Sequence, residues 1–143
     1  MGCQTVTKPD VNPGFKLEAY FSRYSDFSAD ETIVGDQDLD TNIYFIQMGR
    51  VRATHLSTCG KVLWQNELES GAIFGDVSAL ANSNRRRVIS AMTETRLAVF
   101  TKEQFFQILR DDPDVAIWML QDLAHRLAER TVQLSAVGEA SGC

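Results

Sequence analysis

The chain is poor in the residues that staple a fold or ligate a metal. Its 143 residues include three cysteines, Cys3, Cys59 and Cys143. The number is odd and no pair has C-x-x-C spacing, so structural disulfides and cysteine metal sites are not expected and a reducing cytoplasm fits. No apolar run is long enough to span a bilayer. Met1 to Pro13 lack the apolar core of a secretory leader. Met1-Gly2-Cys3 opens like a myristoylation signal, but Val6 stands where Ser or Thr is needed. Positive charge is in deficit, with a net charge of -5. That argues against non-specific binding to nucleic acid or anionic membrane, while a local basic cluster can still hold one anion. No nucleophile–base pair, metal cluster or Walker-type loop is visible, so no enzyme class is indicated and no metal is expected.

What is present is a moderately apolar chain, 44% hydrophobic and 23% charged, of a length that suits one globular domain. Residues 1–14, with Pro9, Pro13 and Gly14, read as a flexible arm. The middle reads as short strands. Thr32-Ile33-Val34 is β-branched, and an acidic turn-rich loop follows over 36–42. Ile43-Tyr44-Phe45-Ile46 is too short for a helix and aromatic enough for a buried strand. After Gly49, Arg50 to Leu56 alternates, with Val51 and Ala53 on one face and Arg50, Arg52 and Thr54 on the other. Thr58-Cys59-Gly60-Lys61 makes a hairpin turn back into Val62-Leu63-Trp64. Ser70-Gly71 turns into Ile73-Phe74, and strands are expected again over Val88–Met92 and Leu97–Phe100. Many short strands with turns between them predict a sandwich or barrel.

The period then changes. Thr101 and Gln104 have capping-box spacing, with Phe105, Ile108 and Leu109 at helical intervals after them. Asp112-Pro113 is an N-cap followed by proline at the first helical position, opening one long helix to about Val137. Ile117, Leu120, Ala124, Leu127, Thr131 and Leu134 form a heptad seam. Trp118, Met119 and Leu123 add apolar surface beside it. Such a helix is expected to touch both its own barrel and another helix.

The stretch that carries chemistry runs from Phe74-Gly75-Asp76-Val77-Ser78-Ala79-Leu80 through a polar loop to Arg85-Arg86-Arg87-Val88-Ile89-Ser90-Ala91. A glycine lets backbone N–H groups approach an anion. A short helix aims more of them at the same point. A guanidinium opposite holds a phosphate with paired hydrogen bonds. A carboxylate beside the glycine accepts from sugar hydroxyls. Together these parts describe a pocket for a ribose phosphate.

This stretch resembles the phosphate-binding cassette of cyclic-nucleotide-binding domains in the catabolite activator and fumarate-nitrate regulator superfamily, of approximate pattern F-G-E-L-A-L, a short loop, then P-R-A-A-T-V-x-A. Gly49-Arg50-Val51 and Ser70-Gly71 are similar to further turns of that family. The resemblance covers nearly all of the chain from Phe27 onward. It implies a mainly β fold with flanking helices: a double-stranded β-helix, or jelly roll, over 15–112, followed by a long C-terminal dimerisation helix and tail over 113–143. It implies cyclic AMP or cyclic GMP as ligand, with no other cofactor, and regulatory signalling through the C-terminal helix to a partner or effector, within a homodimer. By position, Gly75, Asp76, Val77 and Ser78 fall on the cassette's glycine–helix segment, Asp76 on the ribose 2′-hydroxyl ligand, and Arg85 on the phosphate ligand, with Arg86 beside it. Arg130 and Thr131 fall where the long helix contacts the base. The match has departures: Asp76 is one methylene shorter than the family's glutamate, Asn84 replaces proline, and Arg86 and Arg87 replace small residues. Two other readings stay open, a docking module that has lost its nucleotide and a haem-based gas sensor using His55 or His125. Binding of nucleic acid by these residues alone is not expected, since no recognition helix or basic face is visible.

Overall fold

The computed structural model describes residues 20, 23–36, 38, 40–81 and 86–137, with 130–137 described by their backbone alone. The arm 1–14 and the loop residue Arg85 lie outside the described residues, as do the side chains of Arg130 and Thr131.

Eight strands precede the long helix. They are β1 (Tyr24–Phe27), β2 (Thr32–Val34), β3 (Ile43–Met48), β4 (Arg50–Leu56), β5 (Val62–Glu69), β6 (Ile73–Phe74), β7 (Arg87–Ala91) and β8 (Thr95–Phe100). Between β6 and β7 lies the short helix α1 (Asp76–Ala81), and after β8 come α2 (Lys102–Asp111) and α3 (Pro113–Val137). The strands form two antiparallel four-stranded sheets, ordered β1-β8-β3-β6 and β2-β7-β4-β5. This is the mainly β jelly-roll architecture with flanking helices and a long C-terminal helix that the sequence implies.

The first sheet is buried on both faces, which explains why β3 and β8 are continuous apolar runs rather than alternating ones. One face of β3 and β8 (Ile43, Phe45, Ala98, Phe100) packs with Phe105, Ile108, Val115, Trp118 and Met119 of α2 and α3. The other (Tyr44, Ile46, Leu97, Val99) packs with Val51, Ala53 and Ile89 of the second sheet. The second sheet is buried on its inner face only, so β4 alternates: Val51 and Ala53 are buried while Arg50 and Arg52 are exposed and pair with Glu67.

Local signals account for the joints. At Gly49, with φ of 101°, a Cβ would sit 2.4 Å from the Glu94 carbonyl oxygen; only glycine fits this corner, where the chain passes from the first sheet to the second. The Thr101–Gln104 capping box starts α2. Asp112 accepts from the Val115 amide at the start of α3. Strand β5 runs five residues past Trp64, to Glu69, because its ladder with β4 continues through Asn66, Leu68 and Glu69. Strand β1, half polar and unmarked by periodicity, exists through its ladder with β8 and the Arg96–Asp26 ion pair.

One expectation is corrected. Cys59, in the β4–β5 turn, is disulfide-bonded; an odd cysteine count still allows one pair, and the partner lies outside the described residues. The inference from free thiols to a reducing compartment loses its premise. Among the described residues, no helix is long and apolar enough to cross a membrane.

Candidate ligand site

With Gly49 at one end of the roll, the start of β3 and the end of β4 both lie toward the opposite end, where Gly75 turns over the start of β3. From the first sheet this end receives Tyr44 and Phe74, whose rings stack at 4.8 Å. The Tyr44 hydroxyl donates to Asp40; burial and the Asp40 carboxylate push the phenol well above its usual range. From the second sheet it receives His55 and Trp64, stacked at 4.0 Å, and Asn66, whose Oδ1 is 3.2 Å from His55 Nε2. Arg87 faces His55 across the β4–β7 ladder.

Gly75 follows β6 with φ of 87°, and a Cβ there would lie 2.5 Å from the Asn42 carbonyl oxygen. The glycine therefore lets the chain turn tightly over the start of β3 into α1. This turn delivers Asp76 to a position only 1% exposed. Its Oδ2 accepts a hydrogen bond from Arg126 Nη2 of α3 at 2.6 Å, and the same guanidinium nitrogen lies 2.9 Å from Asp122. The other oxygen, Asp76 Oδ1, is buried with no hydrogen-bond partner among the described residues. Burial pushes Asp122 above the usual carboxylate range, Arg126 opposes this, and the nearby Asp76 charge adds to it. For Arg126, burial would favour losing the proton, but Asp76 and then Asp122 outweigh it and raise its pKa. Beside this cluster, His125, 8% exposed, pairs through Nε2 with Glu129.

Of the residues singled out in the sequence, the structure brings Gly75, Asp76, Val77 and Ser78 together at this end. Arg86 is directed elsewhere. Its Nε and Nη2 donate to the two oxygens of Asp36 at 3.1 and 2.5 Å, and its Nη1 to the Thr58 carbonyl at 2.7 Å. It clamps the start of β7 to the loop after β2 and to the β4–β5 turn. The alternation of a strand turns the next residue, Arg87, to the opposite face, the one that carries Ile89 and Ala91 inward. Arg130 and Thr131 are placed on α3 by their backbone. Among the described residues no cluster of three or more His, Cys, Asp or Glu could hold a metal.

Arg126 was not singled out by sequence reasoning, yet it joins the cassette to α3. The signal was available. Val115, Met119, Asp122 and Arg126 step by four, three and four, so the apolar face of α3 that meets the barrel continues directly into charged residues. Charges at core-facing intervals mark a helix face that leaves the core and enters a site.

The model of the cyclic nucleotide-binding domain family matches residues 25–112. The chain belongs to the cyclic nucleotide-binding domain family. The match takes in β2 to β8, α1, α2 and all of β1 but its first residue. The catabolite activator protein of Thermus thermophilus superposes on this domain with a TM-score of 0.74 at 25% identity, covering 90% of this chain and 60% of that one. Among curated proteins, the lysophospholipase nte1 of Aspergillus oryzae is 26% identical over 102 residues, 71% of this chain but 7% of its own length. The global nitrogen regulator of Synechocystis sp. is 24% identical over 113 residues, 78% of this chain and 50% of its own. This domain therefore spans half or less of the length of these curated relatives, and the matched part of the lysophospholipase is too small a share for its activity to transfer.

Proposed function

We propose that this cyclic nucleotide-binding domain is a sensor, not an enzyme: a small anionic ligand, cyclic AMP or cyclic GMP in the family's own chemistry, occupies the open end of the roll, and occupancy is passed to α3. The observation that carries this reading is the Asp76–Arg126 ion pair, which ties the cassette helix to the long helix. Asp76 Oδ1 offers a ligand hydroxyl an acceptor, and a hydroxyl that reaches it would relieve a buried unmatched oxygen. Arg85 is the phosphate ligand in this reading, Val77 and Ser78 line the turn, and Arg130 and Thr131 face the base. The ligand changes the output only by its different affinity for two positions of α3. The roll over 15–112 is the sensing unit, and α3 with the tail over 113–143 is the transmitting one. Ile117, Leu120 and Leu127, which are 53%, 67% and 66% exposed, fit a homodimer seam. A setting without membrane or nucleic-acid contacts by this chain completes the reading.

A second reading, a docking module without nucleotide, draws on one observation: Asp76 and Arg86, both candidate ligands, are already engaged by protein partners. Calorimetric titration of cyclic AMP and cyclic GMP into ligand-stripped protein, beside Arg85→Ala, separates the two. Saturable binding lost in the variant supports the sensor. No heat and no thermal shift with either nucleotide supports the docking module.

A further inference from the structure

We propose that Asp122 is a positioning residue of the sensor: it competes with Asp76 for the Arg126 guanidinium, weakens the hold of the cassette on α3, and so keeps the long helix releasable. The proposal rests on the reading that occupancy is passed to α3, and it adds the residue that sets how firmly α3 is held.

Arg126 has two anionic partners and shares one nitrogen between them. Its Nη2 donates to Asp76 Oδ2 at 2.6 Å and lies 2.9 Å from Asp122 Oδ2. Its Nε is buried with no partner among the described residues. A guanidinium bound firmly to one carboxylate uses two N–H groups in a parallel fork. Neither Asp76 nor Asp122 receives that fork. A bridge through one nitrogen passes from one acceptor to the other by a small rotation of the side chain, with the charge partnered throughout. Glu129, three residues on from Arg126, pairs with His125 instead.

The two partners belong to different parts of the fold. Asp76 opens α1 and is fixed to the roll by the Gly75 turn. Asp122 precedes Arg126 by four residues on α3, the acid-before-base order that suits such a pair. That pair travels with α3, whereas the pair with Asp76 exists only where α3 lies against the cassette. Lifting α3 away therefore exchanges one carboxylate for another rather than stripping Arg126 of its partner. Burial raises the Asp122 carboxyl; Arg126 opposes the rise and the Asp76 charge adds to it. The two carboxylates thus repel each other across the guanidinium they share. Sharing and repulsion both cost the held state and spare the released one. Release still leaves Asp76, 1% exposed, without a counter-ion, so α3 stays held until something else answers that carboxylate. Asp122 narrows the gap between the two states, and a narrow gap is what a ligand of limited differential affinity can overcome.

Native-state amide exchange of the full chain, at pH 7.5 and without ligand, tests this in Asp122→Asn, Asp122→Ala and Asp122→Glu. The reporter is the Ala79 amide, which donates to the Gly75 carbonyl at 3.2 Å in the first turn of α1. Exchange at Ala79 is expected to slow about three-fold or more in Asp122→Asn and Asp122→Ala. Asp122→Glu keeps the parent rate, and the slowing vanishes when Arg126→Gln is added. An Asp122 that merely staples α3 gives the opposite result, faster exchange along α3 and no slowing in α1. Unchanged or faster exchange at Ala79 in Asp122→Asn, or slowing that survives Arg126→Gln, overturns the inference. If Arg126→Gln does not fold, the contrast between Asp122→Asn and Asp122→Glu decides. Repeating the measurement with cyclic AMP and with cyclic GMP separates this inference from the sensor reading. An Asp122 effect with no response to either nucleotide keeps the inference and overturns the nucleotide as ligand. A nucleotide response with no Asp122 effect overturns the inference and leaves the sensor reading standing.

Discussion

Asp76, the first residue of α1, and Arg126, far along α3, are fifty positions apart in the sequence and joined by a hydrogen-bonded ion pair of 2.6 Å. The carboxylate is 1% exposed, whereas the guanidinium side chain is 31% exposed. The pair is thus asymmetric: Arg126 can be solvated without its partner, and Asp76 cannot.

That asymmetry sets the expected cost of cutting the pair. Arg126→Ala strands a buried carboxylate and is expected to lower unfolding free energy by about 2–4 kcal/mol, the lower part of this range reflecting the exposure of the arginine. Asp76→Ala leaves a guanidinium that reaches water and costs less. Urea denaturation of both single variants and the double variant checks this, with a coupling energy of about 1–3 kcal/mol expected from the cycle.

Gly75 tolerates no side chain. Its φ of 87° and the 2.5 Å approach of the Asn42 carbonyl to a built Cβ combine backbone strain with a clash against main chain. Gly75→Ala is expected to cost about 2–3 kcal/mol and to weaken whatever ligand the cassette holds. Thermal denaturation reads the first effect and calorimetry the second.

Burial raises the Asp122 carboxyl above its ordinary value of 3.8. A group that holds its proton more tightly in the native state than in the unfolded chain contributes stability that is full below the ordinary value. That contribution is lost as pH rises through the raised one. Asp122→Asn removes this loss. Between pH 4 and pH 7 the variant should gain stability relative to the parent chain, which paired urea titrations at the two pH values would measure. A difference that narrows or reverses toward pH 7 would contradict the assignment.

The α3 seam predicts separation of assembly from folding. Leu120 and Leu127 are two-thirds exposed on the described chain, so Leu120→Glu with Leu127→Glu should leave monomer stability within about 0.5 kcal/mol per site. Sedimentation equilibrium should show dimer for the parent chain and monomer for the variant.

Arg86 fastens three segments by contacts at the surface of the roll. Arg86→Ala should speed amide exchange at the Gly60 and Lys61 amides, both bonded to Ser57 in the β4–β5 turn, more than in β3. An unchanged exchange pattern in that turn would remove the clamp role.

Much of this architecture was legible in the sequence because local chemistry and tertiary burial agreed. Ile43 to Ile46 reads as a doubly buried strand, and it lies in a sheet covered on both faces. Thr101–Gln104 and Asp112-Pro113 mark helix starts whose caps form as their side chains dictate. The cassette was legible through Gly75 and Asp76, whose types are tied to backbone geometry and to hydrogen bonding. Other features were not. Strand β1 is held by its partner rather than by its own period. Arg86 and Arg87 are the same residue type at adjacent positions, and only the counter-ion Asp36, in a distant loop, settles which one faces outward. The spacing from Val115 and Met119 puts Arg126 on the barrel-facing side of α3, but that its partner is Asp76 depends on how α3 packs on the barrel. The disulfide at Cys59 likewise depends on the course of the chain rather than on spacing.

The first sheet, with α2 and α3 against one face and the second sheet against the other, acts as a partition. Both of its faces are filled with close-packed side chains, so a change between the sheets cannot cross it without disturbing two cores at once. The β1 margin lies away from the cassette, but the β6 margin runs straight into Gly75 and Asp76. Motion that starts inside the roll and ends at α3 therefore has a short way around that margin, and the strand there is two residues long, the shortest of the described strands.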